Sequence, residues 1–440
     1  MILIFAEQKY PRLEYISQLI FREILGSEVN IITDREAFLN SPFPGICYAT
    51  APAGDGLYMG SHSLLTTTTR EMPPLTAVSY EGETGFFPAA PGSFLPFDPF
   101  ASAFLAVSRL EEYGTETRDQ HGRFPAAASF LHRYGLLSKA VVNRWARLIA
   151  RALEEKYGQP LFAPPACQLL TTIDVDNAWA YRHKGLLKNS ATLLRKIFTG
   201  NFSAASEQFL VLCCKREDPY DNYRFISTVY KGNEEKLMYF FLLADRARYD
   251  KQVTWRNRHL RELIRQTAAT FLTGIHPSYS AGKDPTTRRL CMEKERLEQI
   301  TGTQISASRQ HYLLLEFPRT YRKLLEAGLT ADYTMGYPDA TGFRAGTATP
   351  FFFYDLEKEE ATPLKIHPFV AMDVTLRQYL QLSPRDAIST LNALHAEVKA
   401  TGGLFSTIWH NESLNDRGFW RGYKMVFERL NKEGIGNGGS

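Results

Sequence analysis

From Cys167 to the C-terminus, short runs of apolar and β-branched residues alternate with amphipathic ones, and this alternation is what most constrains the fold. The strand-like runs are CQLLTTID, LMYFFLLAD, TFLTGIHPS, ADYTMGY and LFSTIWHNE. Among them lie NRHLRELIRQTAA, TRRLCMEKERLEQI, LLLEFPRTYRKLLEAG and RDAISTLNALHAEVKATGG, which carry helical spacing. Such alternation over roughly 270 residues calls for parallel strands joined by crossover helices, as a barrel or an open sheet.

The first part of the chain reads differently. MILIFAE, NIITD and GICYAT are short strand candidates, and PRLEYISQLIFREIL between the first two is a helix candidate. The strongest amphipathic helix of this half is LSKAVVNRWARLIARALEEKYG, which ends at Gly158 before the proline-rich QPLFAPPAC. A domain boundary is expected there, giving an N-terminal α/β domain over 1–160 and an α/β unit over 161–440 with an insertion at about 181–235. At 440 residues two or three domains are the expectation. The first unit offers no nameable chemistry, and Asp119 and His121 in RDQHGRF read as a capped turn rather than a ligand pair.

Bulk properties exclude some classes. A net charge of +4 gives no nucleic-acid footprint. The five cysteines show no C-x-x-C spacing, so neither a disulfide framework nor a zinc knuckle is expected. No apolar run reaches the roughly 18–20 residues of a spanning helix. The opening residues lack the basic and apolar regions of a signal peptide. The expectation is a soluble, cytoplasmic protein.

Chemistry collects at strand ends. In TTIDVDNAW, Asp174 and Asp176 share one face of a strand while Val175 packs on the other. Adjacent carboxylates repel unless a cation or proton lies between them; solvated turn acids or a helix N-cap are the plainer reading. GIHPSYS then ends a strand with His276, and STIWHNE ends another with His410. Active sites of α/β barrels gather at the carboxyl ends of strands, and carboxylate plus imidazole suits a divalent metal such as zinc. Metal-assisted hydrolysis is the chemistry this supports, with a carboxylate base and a histidine acid. Arg309 and His311 in SRQHY, and Arg344 in the Gly-flanked GFRAGT, add positive charge, with surface ion pairs as the alternative reading for the arginines. Asp373 in HPFVAMDVTL lies late in an apolar run, where a carboxylate needs a partner.

In their order, TTIDVDNAW, GIHPSYS, SRQHY, GFRAGT, HPFVAMDVTL and STIWHNE resemble the motif series of the polysaccharide deacetylase superfamily (NodB homology), and more narrowly its Bacteroidetes-type branch with an extra N-terminal domain. The resemblance implies a distorted (β/α) barrel of fewer than eight strands and metal-dependent removal of acetyl groups from a glycan. By the same resemblance, Asp174 matches the base that deprotonates water at the metal, and Asp176 and His276 match metal ligands. Arg344 matches the arginine that orients the base. His410 matches the general acid and Asp373 the carboxylate that orients it. Arg309 and His311 are then candidates for substrate binding. The metal implied is zinc, with cobalt, nickel or manganese as alternatives.

One position departs from the pattern. The family's second histidine, four residues after the first, is Ser280 here, and a serine is a poor ligand for a divalent ion. Either the site is weak, or another residue such as His311 supplies the ligand, or the barrel is an inactive glycan-binding or assembly module. The segment YRHKGLLKNSATLLRKIF, basic with interleaved apolar residues, is either a solvated helix packed on the barrel or a contact for an anionic lipid surface carrying a lipid-linked glycan.

Overall fold

The computed structural model describes residues 1–436. Its central feature is a curled, half-barrel sheet of nine strands. In spatial order these are Phe351–Asp355, Glu360–Ile366, Ala331–Asp332, Ala307–Ser308, Leu272–Ile275, Leu237–Phe241, Cys167–Val175, Gly403–His410 and Ala371–Met372. Every pairing is parallel except that of the first two strands, which form an antiparallel hairpin.

Parallel strands covered on both faces lose the alternation of a half-exposed strand. Leu237–Phe241, with sequence LMYFF, is accordingly buried at every position. The crossover helices start where the sequence supplies caps. Asn257 accepts the His259 and Leu260 N–H groups at the start of Arg258–Ala268. Ser383 accepts the Asp386 N–H at the start of Pro384–Thr401, which carries proline in its first turn.

This curled half-barrel is compatible with the expected distorted barrel, but its strand count differs: nine among the described residues rather than fewer than eight. Three of the nine are only two residues long, too short to leave a period in the sequence. ADYTMGY contributes Ala331–Asp332 alone. The helix expected over LLLEFPRTYRKLLEAG is confined to Arg319–Glu326, because the Pro318 ring, lacking an N–H, does not continue a helix from the preceding turn. The hairpin Phe351–Asp355/Glu360–Ile366 had no counterpart in the strand-like runs.

The first 160 residues hold a separate four-stranded parallel sheet, ordered Val29–Ile32, Ile2–Phe5, Gly45–Ala49 and Leu57–Gly60. The helix Val141–Tyr157 ends, as its sequence indicates, on Gly158 at φ 65. Pro99–Ser108 is buried on all sides, as an all-round apolar helix must be. One hydrophobic cluster contains Ile4, Phe104 and Trp145 together with Ile173, Tyr354 and Trp409, so both parts of the chain share a core. Among the described residues no helix is long and apolar enough to cross a membrane.

Candidate metal centre and catalytic pocket

Strand register assembles the site. His410 is the last residue of Gly403–His410 and pairs directly with Asp174 on the neighbouring strand. Asp176 lies just past the end of Cys167–Val175, His276 just past Leu272–Ile275, and Arg309 just past Ala307–Ser308. Asp373 follows Ala371–Met372, beside the strand that carries His410. Six side chains from five sequence regions thus meet at the carboxyl edge of one sheet, where a cavity of about 350 Å³ opens.

Asp176, His276 and His311 offer ligand atoms that all lie within 4.8 Å of one another. His276 Nε2 is 3.2 Å from Asp176 Oδ1, and His311 Nε2 is 3.5 Å from Asp176 Oδ2. Their other ring nitrogens are fixed from behind. His276 Nδ1 lies 2.5 Å from the Arg309 carbonyl oxygen, which can only accept, so Nδ1 carries the proton. His311 Nδ1 faces Asp250 Oδ1 at 3.2 Å, with the same consequence. Both Nε2 lone pairs therefore point toward Asp176, the second-sphere arrangement of metal-binding histidines. The buried Oδ1 atoms of Asp174 and Asp176 have no hydrogen-bond partner, a costly state for a carboxylate unless something cationic occupies the space.

The electrostatics agree. Desolvation would raise the Asp176 carboxyl, but His311 and His276 outweigh it and hold it well below the usual range. Burial would lower His311, yet Asp176 and Asp250 push it up to about 9. The raised His311 and lowered Asp176 mark a site that favours positive charge, where a divalent metal would compete with the imidazole proton. The residues present fit such an ion.

Ser280, at the position of the missing histidine, donates its hydroxyl to Asp250 Oδ2 at 2.6 Å and its N–H to the same atom at 3.1 Å. It therefore supports the carboxylate that orients His311. Sequence reasoning did not find Asp250, which sits in a loop after Leu237–Phe241 with no periodic signal around it.

Arginine placement corrects the sequence expectation. Arg344 does not reach the pocket. Its guanidinium is buried against Glu112, with Nε–Oε1 at 3.0 Å and Nη2–Oε2 at 2.5 Å, and Nη1 donates to the Gly336 carbonyl at 2.9 Å. Glu112, in the first part of the chain, is the only carboxylate that ion-pairs with it among the described residues, and this buried partner captures the guanidinium. Arg309 lies beside the aspartate instead. It is fully buried between the rings of Phe240 and Phe369, donates Nη2 to Thr172 Oγ1 at 2.8 Å, and holds Nη1 3.7 Å from Asp174 Oδ2. Thr172 and Asp174 share a strand face, so one guanidinium spans both.

On the other side of Asp176, His410 Nδ1 lies 2.8 Å from Asp373 Oδ1, and the His410 N–H donates to Asp373 Oδ2 at 2.7 Å. Nε2 then faces the pocket, 3.9 Å from Asp176 Oδ2. Burial would lower the His410 pKa, but Asp373 foremost, with Asp176 and Asp174, raises it well above the ordinary value. Glu412 also lines the cavity and is raised chiefly by burial. Asp119 is indeed a turn cap, accepting the N–H groups of His121 and Arg123. Arg123 reaches the pocket wall and donates Nη1 to the Tyr312 carbonyl at 2.9 Å.

A larger cavity, about 650 Å³, lies at the opposite, amino-terminal ends of the strands. One of its two imidazoles, the half-buried His367, stacks on Tyr333 with centroids 4.4 Å apart, and desolvation pushes it down to about 4, so it stays neutral. The chemistry-bearing cluster belongs to the smaller cavity.

Residues 2–158 match a family of unknown function, DUF7033. No curated protein matches the chain. Solved structures similar to it include a putative polysaccharide deacetylase from Mycobacterium smegmatis, at 16% identity and TM-score 0.39, covering 62% of this chain and 87% of that one. The polysaccharide deacetylase Bc1974 from Bacillus cereus aligns at 11% identity and TM-score 0.28, covering 61% and 88%. A mutant of BA3943, a CE4 family pseudoenzyme with restored enzymatic activity, aligns at 10% identity and TM-score 0.25, covering 62% and 68%.

Proposed function

We propose that this protein is a metal-dependent hydrolase that removes acetyl groups from a glycan, including one still carried on a lipid. The observation that carries this reading is the Asp176, His276 and His311 cluster, with Asp174 and His410 on either side of it at one pocket. In this reading Asp176, His276 and His311 hold a divalent ion, zinc or else cobalt, nickel or manganese. When bound, such an ion polarises an acyl oxygen and makes water more acidic.

The remaining roles fall to the chain. Asp174, with one oxygen unpartnered and the other beside Arg309, takes the proton of the attacking water. Arg309 holds that carboxylate in place. His410 carries a proton on the nitrogen that faces the pocket and gives it to the leaving amine or alcohol. Asp373 fixes its ring and favours its charged form. The role first assigned to Arg344 passes to Arg309.

The test combines metal content with turnover. Protein purified without a metal-affinity column should take up close to one divalent ion per chain, and His276→Ala should lose it. Asp174→Asn should keep the ion while acetate release from acetylated oligosaccharides drops on the order of 10²–10⁴-fold. No metal uptake by the wild type, or full turnover in Asp174→Asn, would overturn the reading. A second reading, a glycan-binding module without turnover, rests on Ser280 in place of an imidazole. Metal uptake and glycan binding without acetate release from any acetylated glycan would favour it.

A further inference from the structure

The insertion between Val175 and Leu237 contains three α-helices, of which the first two, Leu186–Phe198 and Phe202–Leu212, pack side by side as a hairpin. A helix on the surface of a water-soluble protein turns its apolar stripe to the core and its polar face outward. This hairpin does the reverse. Leu187 is 90% exposed and Phe198 86%, with Leu186 and Leu194 alongside. The second helix presents Phe202, 67% exposed, and Phe209, 55% exposed.

The inward face holds polar groups beside the buried Ala205 and Val211. Gln208 is completely buried and donates to the Asn189 carbonyl and to Thr192 Oγ1, each at 2.9 Å. Asn189, also buried, donates to the Tyr181 carbonyl at 3.0 Å. Lys196 packs over the Tyr181 ring at 4.3 Å. Large apolar side chains left outside, with buried hydrogen bonds on the inner face, describe a hairpin built for apolar surroundings on its outer face. The solvated-helix alternative raised by the sequence would have had these leucines and phenylalanines packed on the barrel, and they are not.

Charge identifies the surroundings. Between Arg182 and Arg216 the sequence has seven lysines and arginines and one carboxylate, Glu207. Glu207 is turned to the body of the protein, where it meets Arg417 at 3.1 Å and the Tyr181 hydroxyl at 3.2 Å. Lys188 and Arg195 run along one edge of the apolar stripe of the first helix. A second copy of the same face would bring like charges together. An apolar stripe edged by cations is complementary to acyl chains beneath anionic headgroups.

We infer that the Leu186–Leu212 hairpin docks on an anionic lipid bilayer, its outer leucines and phenylalanines entering the boundary between headgroups and acyl chains. Phe198 and Phe202 flank the turn and lead, and Lys188 and Arg195 contact headgroups. The connection that carries the hairpin leaves the sheet at its pocket end, just past Asp176. The docking itself is independent of the proposed hydrolysis.

The test is sedimentation of the full-length protein with phosphatidylcholine vesicles, with and without phosphatidylglycerol. Wild type should partition onto the anionic vesicles, and less so as salt is raised. The double variant Leu187→Asp/Phe198→Asp should partition on the order of tenfold more weakly or not at all. Lys188→Ser/Arg195→Ser should lose the preference for anionic vesicles. All three proteins should melt at the same temperature and take up metal equally, because the altered side chains are remote from the core and the pocket. Wild type that stays in the supernatant with both vesicles would overturn the inference. So would a wild-type dimer in light scattering that Leu187→Asp/Phe198→Asp makes monomeric, which would assign the face to a second copy. Vesicle binding without metal uptake would leave the docking standing and sink the hydrolase reading alone.

Discussion

Asp250 divides its two oxygens between jobs. Oδ1 faces His311 Nδ1 and accepts the Tyr279 N–H at 2.9 Å, while Oδ2 accepts the hydroxyl and N–H of Ser280. A carboxylate can only accept from an imidazole nitrogen, so it fixes the tautomer whose free lone pair points at Asp176. Asn at this position can turn its NH₂ to the ring and let the proton move to Nε2, the atom aimed at the metal position. Asp250→Asn should therefore weaken zinc or cobalt binding by about 10–100-fold, the usual effect of losing a partner behind a ligand. Competition titration with a chelating dye measures this. Unchanged affinity would mean that His311 is not a ligand. Ser280 acquires a purpose at the same scale: a hydroxyl that braces Asp250 stands where the family resemblance leads one to look for an imidazole, and His311 comes from another strand end.

At the scale of elements, the loop that follows Ala331–Asp332 is tied to the turn Leu110–Glu112 by charges with almost no access to water. Glu112 receives Arg344 and also Arg109 Nε at 2.8 Å, and Arg109 Nη1 donates to the Arg344 carbonyl at 2.5 Å. Desolvation would raise the Glu112 carboxyl, but Arg344 and Arg109 hold it low. Glu112→Gln strands the Arg344 charge, and breaking a buried pair in this way costs about 3–5 kcal/mol. Chemical denaturation should show that loss while metal uptake per folded molecule stays the same. A variant of normal stability that fails to release acetate would return Arg344 to a catalytic role. The same elements explain what the sequence disclosed. The long strands Cys167–Val175 and Gly403–His410 carry strong apolar runs, so the residues at their ends, Asp174, Asp176 and His410, stood out. Ala307–Ser308 and Ala371–Met372 are too short for any pattern, and Arg309 reaches Asp174 only across the curl of the sheet, its strand lying three places from Cys167–Val175. The Arg344 misplacement has a similar root: a Gly-flanked arginine looks alike whether it faces a pocket or a carboxylate some 230 residues away in the chain.

For the molecule as a whole, the decisive feature is how the first 160 residues are joined to the rest. The division expected near residue 160 falls between Val141–Tyr157 and Cys167–Val175, yet the core does not stop there. Tyr15 packs against Tyr354 at 4.9 Å between centroids and donates its hydroxyl to the Phe352 carbonyl at 2.6 Å. Arg12, buried, pairs with Glu359 through two nitrogens at 2.9 and 2.6 Å. Asn143 donates to Thr349 Oγ1 at 2.9 Å and to the Gly402 carbonyl at 3.1 Å, while its own oxygen accepts from Thr347. Loosely docked domains meet through polar, wet contacts and unfold separately; here the junction is buried hydrocarbon crossed by these hydrogen bonds. Such a junction couples the two parts, because opening either one exposes apolar surface on the other. Calorimetry should therefore record one cooperative transition, with the calorimetric and van't Hoff enthalpies equal. Near-UV signals from Trp145 in the first part and Trp409 in the second should be lost together. Two resolved transitions, or a fragment of residues 161–440 as stable as the whole chain, would show that the shared core does not couple them.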